Sequence, residues 1–157
     1  MAIEMLLENL EAELGEPVLH FVRPIVAFER SRRYAVRPLG IRYEPYASLE
    51  SLDEPGLTFV VVPPGLLFPD YVYTVPERDV QELALDRLTD PADVQTLAVV
   101  RRRDVPVPVV NLRAPIVINR TLRLASQVVL DDGCGFGLMV PVDAGTARDK
   151  EAPACSS

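Results

Sequence analysis

The fold is decided by Thr58-Phe-Val-Val-Val-Pro-Pro-Gly-Leu-Leu-Phe-Pro-Asp-Tyr71 and by Asn111-Leu-Arg-Ala-Pro-Ile-Val-Ile-Asn119, two stretches of a chain of 157 residues. Each stretch is an apolar run, rich in β-branched residues, with prolines and carboxylate or amide side chains at its ends. Such runs are typical of short, buried β-strands. Neither stretch contains a nucleophile with its base or a cluster of metal ligands, so the pattern favours a binding protein over an enzyme.

Short strands are predicted along most of the chain. Its 15 prolines disfavour long helices, because proline lacks the backbone donor that a helix interior needs. Apolar runs bounded by proline, glycine or aspartate predict the strands. These are Val18–Val22, Tyr34–Val36, Leu57–Val62, Tyr71–Val75, Val94–Arg101, Ala114–Asn119 and Ser126–Leu130. Short strands with proline-marked turns indicate a closed or folded-over sheet.

One helix is predicted over Pro76–Leu88, where apolar side chains recur at helical spacing. The apolar stripe consists of Val80, Leu83, Ala84 and Leu88. The first residues, Pro76, Glu77 and Asp79, suit a helix N-terminus, because proline fits the first turn and carboxylates stabilise the positive end of the helix dipole. After this helix, Asp90 is expected to cap a turn with Pro91 at its first helical position.

The charge of the chain is −7 and is unevenly distributed. Residues 51–100 carry nine acids and two bases, and residues 1–20 carry five acids and no base. An acidic protein is repelled by phosphate backbones, so we expect no direct binding to nucleic acid. Acidic patches attract basic protein partners. The alternative, that the acids only keep the protein soluble, stays open.

Residues with catalytic or metal-binding potential favour structural interpretations. His20 lacks a second ligand at HxH or HxxxH spacing, and we expect it to be a strand residue. Asp131 and Asp132 could form an acid–base couple or bind a cation. Neighbouring strand residues point to opposite faces, however, so a turn at the end of a strand is favoured. Cys134 and Cys155 are predicted to be reduced and to have no metal or nucleophile role.

The chain is predicted to form one domain over residues 1–142, with a disordered tail over residues 143–157. Glu4–Leu14 has apolar residues at helical spacing, which indicates a short acidic helix. No stretch approaches the roughly 20 apolar residues that span a bilayer. The start Met1-Ala-Ile-Glu lacks the basic end of a secretion signal, so we expect a cytoplasmic protein without membrane contact. We expect it to be a monomer when free.

Three stretches give the chain a family resemblance. Phe68-Pro-Asp-Tyr71, Asn111–Asn119 and Gln127-Val-Val-Leu-Asp-Asp132 resemble the flagellar assembly factor FliW family, and Ser51–Val60 fits the same pattern. The resemblance implies an all-β fold, a mixed sheet folded into a pseudo-barrel with one short helix. It also implies a protein without cofactor or catalytic residues that sequesters CsrA, a basic RNA-binding regulator, and binds flagellin. The partners would exchange on a limited pool of the protein.

One loop departs from the family pattern. Family members show Phe-Pro-x-Gly-Ile-Pro-Gly-Phe-Glu, whereas this chain has Phe21-Val-Arg-Pro-Ile-Val-Ala-Phe-Glu29. Both glycines are replaced, by Pro24 and Ala27. If those glycines have a positive φ, the loop must be rebuilt here, and contacts with CsrA or flagellin could change with it.

The partner-binding residues are predicted from the acidic concentration and from the Phe68–Tyr71 motif. An acidic turn, an acidic helix start and an aromatic residue beside a carboxylate are typical contacts for a basic partner. The predicted residues are Asp53, Glu54, Asp70, Tyr71, Glu77 and Asp79. An alternative is that the chain is a divergent small β-barrel that binds another protein or a small molecule. A hydrolase or metal enzyme using His20, Asp131 and Asp132 is the third and weakest interpretation.

Overall fold

The computed structural model describes residue 15 and residues 17–102, 104–131 and 135–147. Nine strands are present in this part of the chain. They are β1 Val18–Phe21, β2 Arg33–Pro38, β3 Ala47–Ser51, β4 Thr58–Val62, β5 Val94–Arg101, β6 Val109–Val110, β7 Ile116–Asn119, β8 Leu124–Gln127 and β9 Val140–Pro141. The helices are α1 Pro64–Leu67 and α2 Glu77–Glu82, and single 3-10 turns cover Ile41–Tyr43, Leu85–Arg87 and Pro91–Asp93.

The strands form a closed barrel with a short extension. Around the barrel the order is β4-β3-β2-β1-β8-β7-β5, and β5 pairs back with β4. The barrel is a mixed sheet, because β1 and β8 are parallel while the other described pairs are antiparallel. At its C-terminal end β5 also pairs with β6, which pairs with β9. The predicted all-β pseudo-barrel is therefore confirmed.

The barrel interior is filled by alternate residues of its strands. This is the arrangement expected when strand side chains point alternately inward and outward. The buried members are Leu19, Phe21, Ile25, Tyr34, Leu49, Val61, Leu97, Ile116, Ile118 and Ala125. Register brings them together in pairs, such as Leu19 opposite Tyr34 and Ile118 opposite Ala125. We call this group the interior cluster.

A second apolar cluster lies outside the barrel, under the connecting segments. The outward faces of β4, β5 and β7 supply one side of it, and residues of the segments 68–83 and 110–147 supply the other. Its buried members are Val62, Phe68, Tyr71, Leu83, Ala98, Val100, Val110, Leu112, Val117, Val128, Leu130, Phe136, Val140 and Ala147. We call this group the outer cluster. It explains why the run Phe59–Val62 is apolar on both faces.

Most predicted strands are found where the sequence indicates them. β5 has the predicted bounds, and β1 and β4 differ from the predicted strands by one residue. The strand predicted at Tyr71–Val75 is wrong, since these residues form no ladder. The Tyr71 backbone instead donates to the Phe68 carbonyl in a turn, at 2.9 Å. The prediction missed β3, in which Leu49 alternates with Ser48 and Glu50, and the two-residue strands β6 and β9.

The predicted helix is shorter than expected. α2 ends at Glu82, and Ala84 has φ 54° in the left-handed region, which stops the helix before the 3-10 turn Leu85–Arg87. Leu83 is buried in the outer cluster as the apolar stripe predicts. The one-turn helix α1 was not predicted. The predicted cap is confirmed, since Asp90 Oδ1 accepts from Ala92 N at 2.9 Å.

The loop that departs from the family pattern keeps a left-handed residue. Ala27 has φ 75°, so the conformation that glycine would favour is adopted here by alanine. Ile25 is 3% exposed, and both Ile25 and Phe28 pack on the interior cluster. The loop therefore closes one part of the barrel despite the loss of glycine.

The C-terminal part of the described chain packs on the outer cluster. Residues 143–147 are described, and Ala147 is completely buried. Residues 148–157 and the predicted helix Glu4–Leu14 lie outside the described residues, so the boundary proposed at residue 142 stays a prediction. Within the described part of the chain, no helix has the length and apolarity to cross a bilayer.

Candidate functional site

The first predicted acid, Asp53, is bound by the start of β2. Its Oδ2 accepts from the backbone N–H groups of Arg32 and Arg33, each at 2.8 Å. Its Oδ1 accepts from Arg33 Nε at 3.0 Å and Nη2 at 2.8 Å. Burial by itself would raise the pKa of Asp53, but the hydrogen bonds from Arg32 and Arg33 hold the pKa below its usual value. Asp53 thus fixes the turn after β3.

Glu54 lies in the same turn and is positioned through its backbone. Its N–H donates to Ser51 Oγ at 2.8 Å, and the Asp53 N–H donates to the same oxygen at 3.1 Å. The Glu54 side chain is half-buried at the surface. Ser51 and Asp53 therefore both hold the backbone of this turn.

The second acidic group surrounds Arg23 at the end of β1. Asp79 on α2 is 5% exposed and forms an ion pair with Arg23. Glu82 Oε2 lies 2.7 Å from Arg23 Nε, and Glu82 Oε1 accepts from Arg78 Nε at 3.0 Å. The hydrogen bond from Arg78, with the charge of Arg23, lowers the pKa of Glu82. This network attaches α2 to the barrel, so Asp79 is buried support and not an exposed contact.

Glu77 lies at the exposed start of α2. Its side chain accepts a long hydrogen bond from Gln81 Nε2 at 3.4 Å. Asp86 and Asp90 follow in the chain and are also exposed. The exposed acids of this region are therefore Glu77, Asp86 and Asp90, of which only Glu77 was among the predicted contacts.

Asp70 and Tyr71 hold the outer layer together. The Asp70 carboxylate accepts from Thr146 Oγ1 at 2.8 Å and from Ala147 N at 2.9 Å. Tyr71 is 9% exposed, and its hydroxyl donates to the Leu112 carbonyl at 2.8 Å. The ring of Tyr71 lies 4.8 Å from that of Phe136. Both residues therefore have structural contacts in the folded chain.

The predicted acidic surface thus consists of two groups held by different arginines. Arg33 binds the turn at Asp53, while Arg23 binds α2 through Asp79 and Glu82. Both arginines belong to the segment that runs from β1 into β2. Of the six predicted contact residues, Asp70 and Glu77 are exposed and Glu54 is half-buried, and the contacts above join none of these three to an arginine.

The next residues are those that the sequence offered for catalysis or metal binding. His20 lies on β1 opposite Arg33 and Leu124. Burial and the charge of Arg32 lower its pKa. Asp131 is exposed, whereas Asp132, Cys134 and Cys155 lie outside the described residues. Among the described residues, no group of three or more His, Cys, Asp or Glu side chains could hold a metal ion.

The two asparagines of the motif Asn111–Asn119 both close turns. Asn111 Oδ1 accepts from Arg113 N and Ala114 N, each at 3.1 Å. Asn119 is completely buried; its Oδ1 accepts from Thr121 N and Leu122 N, and its Nδ2 donates to the Leu83 carbonyl at 2.9 Å. The motif is therefore a structural feature of the fold.

A surface that the sequence prediction missed lies on the outside of the barrel. A pocket of about 180 Å³ is lined by two aromatic rings, one arginine and apolar side chains. The lining residues are Leu39, Tyr43, Tyr46, Val60, Val100, Arg102 and Pro108. The sequence Tyr43-Glu-Pro-Tyr46 carries the signal that could have found it, since two tyrosines flank a proline in a polar stretch.

The comparisons with known proteins agree with one another. The family model described as FliW protein matches residues 7–137. The chain is 39% identical over 111 residues to the flagellar assembly factor FliW of Syntrophus aciditrophicus, which covers 70% of this chain and 68% of that protein. It is 30% identical over 117 residues to that of Bacillus subtilis, which covers 74% and 80%.

The fold is also found among solved structures. A crystal structure of the flagellar assembly factor FliW matches with a TM-score of 0.69 and 26% identity, and the match covers 80% of this chain and 84% of that one. Sequence and fold therefore agree over most of the chain, and the chain belongs to the FliW family.

Proposed function

We propose that this protein is a flagellar assembly factor that binds CsrA, antagonises it, and also binds flagellin. Relatives that share 30% to 39% of aligned residues are named flagellar assembly factors. The barrel and the asparagine-bounded motif that characterise the family are retained here. The role requires binding surfaces and no chemistry on a substrate.

The proposed mechanism is partner exchange. While this protein holds CsrA, that regulator does not repress translation of flagellin mRNA. Newly made flagellin competes for the same limited pool of protein and releases CsrA, so flagellin synthesis slows when flagellin accumulates. The proposal places the protein in the cytoplasm, where translation occurs, as a monomer when it is free.

The acidic surface supports the choice of a basic partner. Glu77 is exposed at the start of α2, Asp86 and Asp90 extend the exposed negative charge beyond α2, and Glu54 is half-buried in the turn after β3. Asp53 and Asp79 hold this surface in place through Arg33 and Arg23, and Asp70 and Tyr71 hold the layer beside it. Opposite charges on two partners accelerate their encounter, and salt screens the attraction.

The test is a calorimetric titration with CsrA from the same organism at two salt concentrations. We expect binding that weakens as salt rises. The double variant Glu77→Lys/Asp86→Lys is expected to weaken binding about tenfold at low salt, since each reversed surface charge contributes roughly 0.5 to 1 kcal/mol. The matched control Glu44→Lys/Asp143→Lys reverses two exposed acids outside this surface and is expected to change the affinity less than about threefold.

Two outcomes would count against the proposal. Absence of CsrA binding at both salt concentrations would remove the antagonist role. Equal losses in the test and control variants would show that net charge acts without a defined surface. Glu77 and Asp86 are the positions chosen for charge reversal, because reversal of Asp53 or Asp79 would also break a contact that stabilises the fold.

A further inference from the structure

The two ends of the barrel differ. At one end β1 leads into β2, and the loop that joins them places Ile25 and Phe28 on the interior cluster. At the other end β1 begins and β7 ends, and a cavity of about 420 Å³ lies there. Its lining includes Leu19 and Ile118 of the interior cluster and Val36, which packs against that cluster. The floor of this cavity is therefore apolar and belongs to the barrel interior.

The rim of the cavity carries two arginines, Arg120 and Arg123. Arg120 lies beside an acidic turn, because its N–H donates to the Asp93 carbonyl at 2.8 Å. Arg123 lies against β1, because its carbonyl accepts from His20 N at 2.9 Å. Arg123 therefore places positive charge beside the start of β1, on an apolar floor.

The chain that precedes β1 starts from this cavity. Pro17 lines it, and the Pro17 carbonyl accepts from Val36 N at 3.1 Å. Gly15 is exposed at a turn and has φ 69°. Positive φ at a glycine is common directly after a helix, which is the position of Gly15 after the helix predicted over Glu4–Leu14. A turn at this point directs the preceding residues away from the line of β1.

The residues before Gly15 match the cavity in polarity and in charge. Leu6, Leu10 and Leu14 recur at every fourth position, and residues 1–16 contain five acids and no lysine or arginine. A helix as short as the predicted one is marginal in water by itself and depends on the burial of its apolar face. The apolar floor offers that burial, and the arginine rim offers opposite charge.

We propose that the acidic segment Glu4–Leu14 docks on the end of the barrel at which β1 begins, with its leucines over the cavity and its carboxylates towards Arg120 and Arg123. Because the segment is attached at Pro17 through a short connection, its effective concentration at the cavity is on the order of millimolar, so a weak contact is sufficient. The inference goes beyond the proposed function. It gives the acids of the first residues an intramolecular role, separate from the surface around α2.

The experiment is backbone amide hydrogen exchange of the full chain, with mass spectrometry of the fragment that spans residues 4–14. We expect this fragment to exchange at least about tenfold more slowly in the protein than as a synthetic peptide, because the isolated peptide is too short for a stable helix. Leu6→Asp/Leu10→Asp removes the apolar contact and is expected to abolish the difference.

The charge contact is tested by reversal at the rim. Arg120→Glu/Arg123→Glu is expected to speed exchange of residues 4–14 about fivefold, and more at low salt than at high salt. The matched control is Arg42→Glu/Arg87→Glu, at two exposed arginines elsewhere. It should change the exchange rate less than about twofold. Thermal unfolding checks the fold, and Arg120→Glu alone, at an exposed side chain, has little structural risk.

Rescue distinguishes a direct contact from a general loss of stability. At 3.6 residues per turn, Glu13 lies about 60° around a helix from Leu10, and Glu8 lies about 160° from it. Glu13→Arg, added to the rim variant, is expected to slow exchange again by about threefold, because opposite charges then face each other. Glu8→Arg, added in the same way, should restore nothing.

Each contrary outcome overturns a defined statement. If residues 4–14 of the unaltered protein exchange as fast as the peptide, the segment is not docked and the proposal fails. If they exchange slowly but the rim variant behaves as the control does, the placement at this cavity fails. If Glu8→Arg rescues as well as Glu13→Arg, the contact between carboxylates and rim is wrong. None of these outcomes changes the expected binding of CsrA, so the proposed function is tested separately.

Discussion

The interior cluster and the outer cluster are built by different means, although both are apolar. The interior cluster collects every second side chain from neighbouring strands, and its contacts follow from the ladder register. The outer cluster packs side chains from loops, a turn and a C-terminal segment against the outward faces of β4, β5 and β7. Polar atoms hold these segments in place, for example Tyr71 Oη on the Leu112 carbonyl and Asp70 on Ala147 N.

The interior cluster depends mainly on apolar side chains that fill space, whereas the outer cluster depends also on hydrogen bonds to loop backbone groups. A barrel interior is stabilised by filling space, so it is sensitive to lost apolar volume. Loops have backbone groups that no ladder satisfies, so a covering layer needs side chains that accept or donate to them. Asn119 and Asp70 meet this need in the outer layer.

The largest effect is expected in the interior cluster. Ile116 is completely buried there, and Ile116→Ala is expected to lower the free energy of unfolding by about 3 kcal/mol through lost burial and a residual cavity. Urea unfolding measures the change. Ile41→Ala, at a side chain that is 89% exposed, is the control and should change stability by less than about 0.5 kcal/mol. A loss below about 1 kcal/mol for Ile116→Ala would contradict the dependence of the interior cluster on filled volume.

The next effect tests the polar contacts of the outer layer. Asn119→Ala removes the donor to the Leu83 carbonyl and the acceptor for Thr121 N and Leu122 N. We expect a loss of about 2 kcal/mol, because buried polar groups are left without partners. Asn111→Ala is the matched control, since Asn111 is half-buried and accepts from two backbone N–H groups. It should cost about 1 kcal/mol, and equal losses would contradict the importance of burial.

A smaller effect tests how much the charge of Asp53 stabilises the barrel. The folded-state pKa of Asp53 lies below its usual value. Its stabilisation is therefore fully present above the unfolded pKa, near 3.9, and is lost as pH falls through the folded pKa. Asp53→Asn is expected to cost about 1 kcal/mol at pH 7 and to reduce the loss of stability below about pH 4. Urea unfolding between pH 7 and pH 3 tests this.

The control for the acid experiment is Asp143→Asn, at an exposed residue of the C-terminal segment. Its stability should fall with pH in parallel with the unaltered protein. If Asp53→Asn also gave a parallel curve, Asp53 would not account for any part of the acid sensitivity.

The smallest effect is a gain of stability in the loop that closes the barrel. Ala27 has φ 75°, which disfavours any residue with a Cβ. Ala27→Gly is expected to raise the free energy of unfolding by about 0.5 kcal/mol, because relief of strain exceeds the entropy that glycine adds to the unfolded chain. Ala144→Gly, at an exposed alanine without positive φ, should lower stability. A loss at both sites would show that residue 27 is not strained.

The barrel strands were predictable because their signal is local. Alternation or a continuous apolar run identifies a strand without knowledge of its neighbours, and the bounds of β5 followed directly from Val94–Arg101. β3 was not predicted, because the polar residues Ser48 and Glu50 interrupt its apolar pattern, although Ser48 is 5% exposed in the fold. The strand predicted at Tyr71–Val75 was wrong, because this aromatic and β-branched run covers the outer cluster without joining a sheet.

The site was less predictable, because the charges were visible and their pairing was not. Asp79 and Arg23 are 56 residues apart in the chain, and only the packing of α2 against the end of β1 brings them together. The same is true of Asp53 and Arg33, which lie 20 residues apart. The sequence prediction therefore counted Asp53 and Asp79 as partner contacts, whereas both carboxylates are bound to arginines in the folded chain.

Residue type and local spacing were enough to predict the all-β class, the positions of most strands and the family, because these are properties of short stretches of sequence. Only the folded chain shows which acids are exposed, which hydrogen bonds hold the outer layer, and where Tyr43 and Tyr46 line an aromatic pocket. These features depend on contacts between distant segments, and their free energy is set by burial and distance in the folded chain, which residue spacing does not encode.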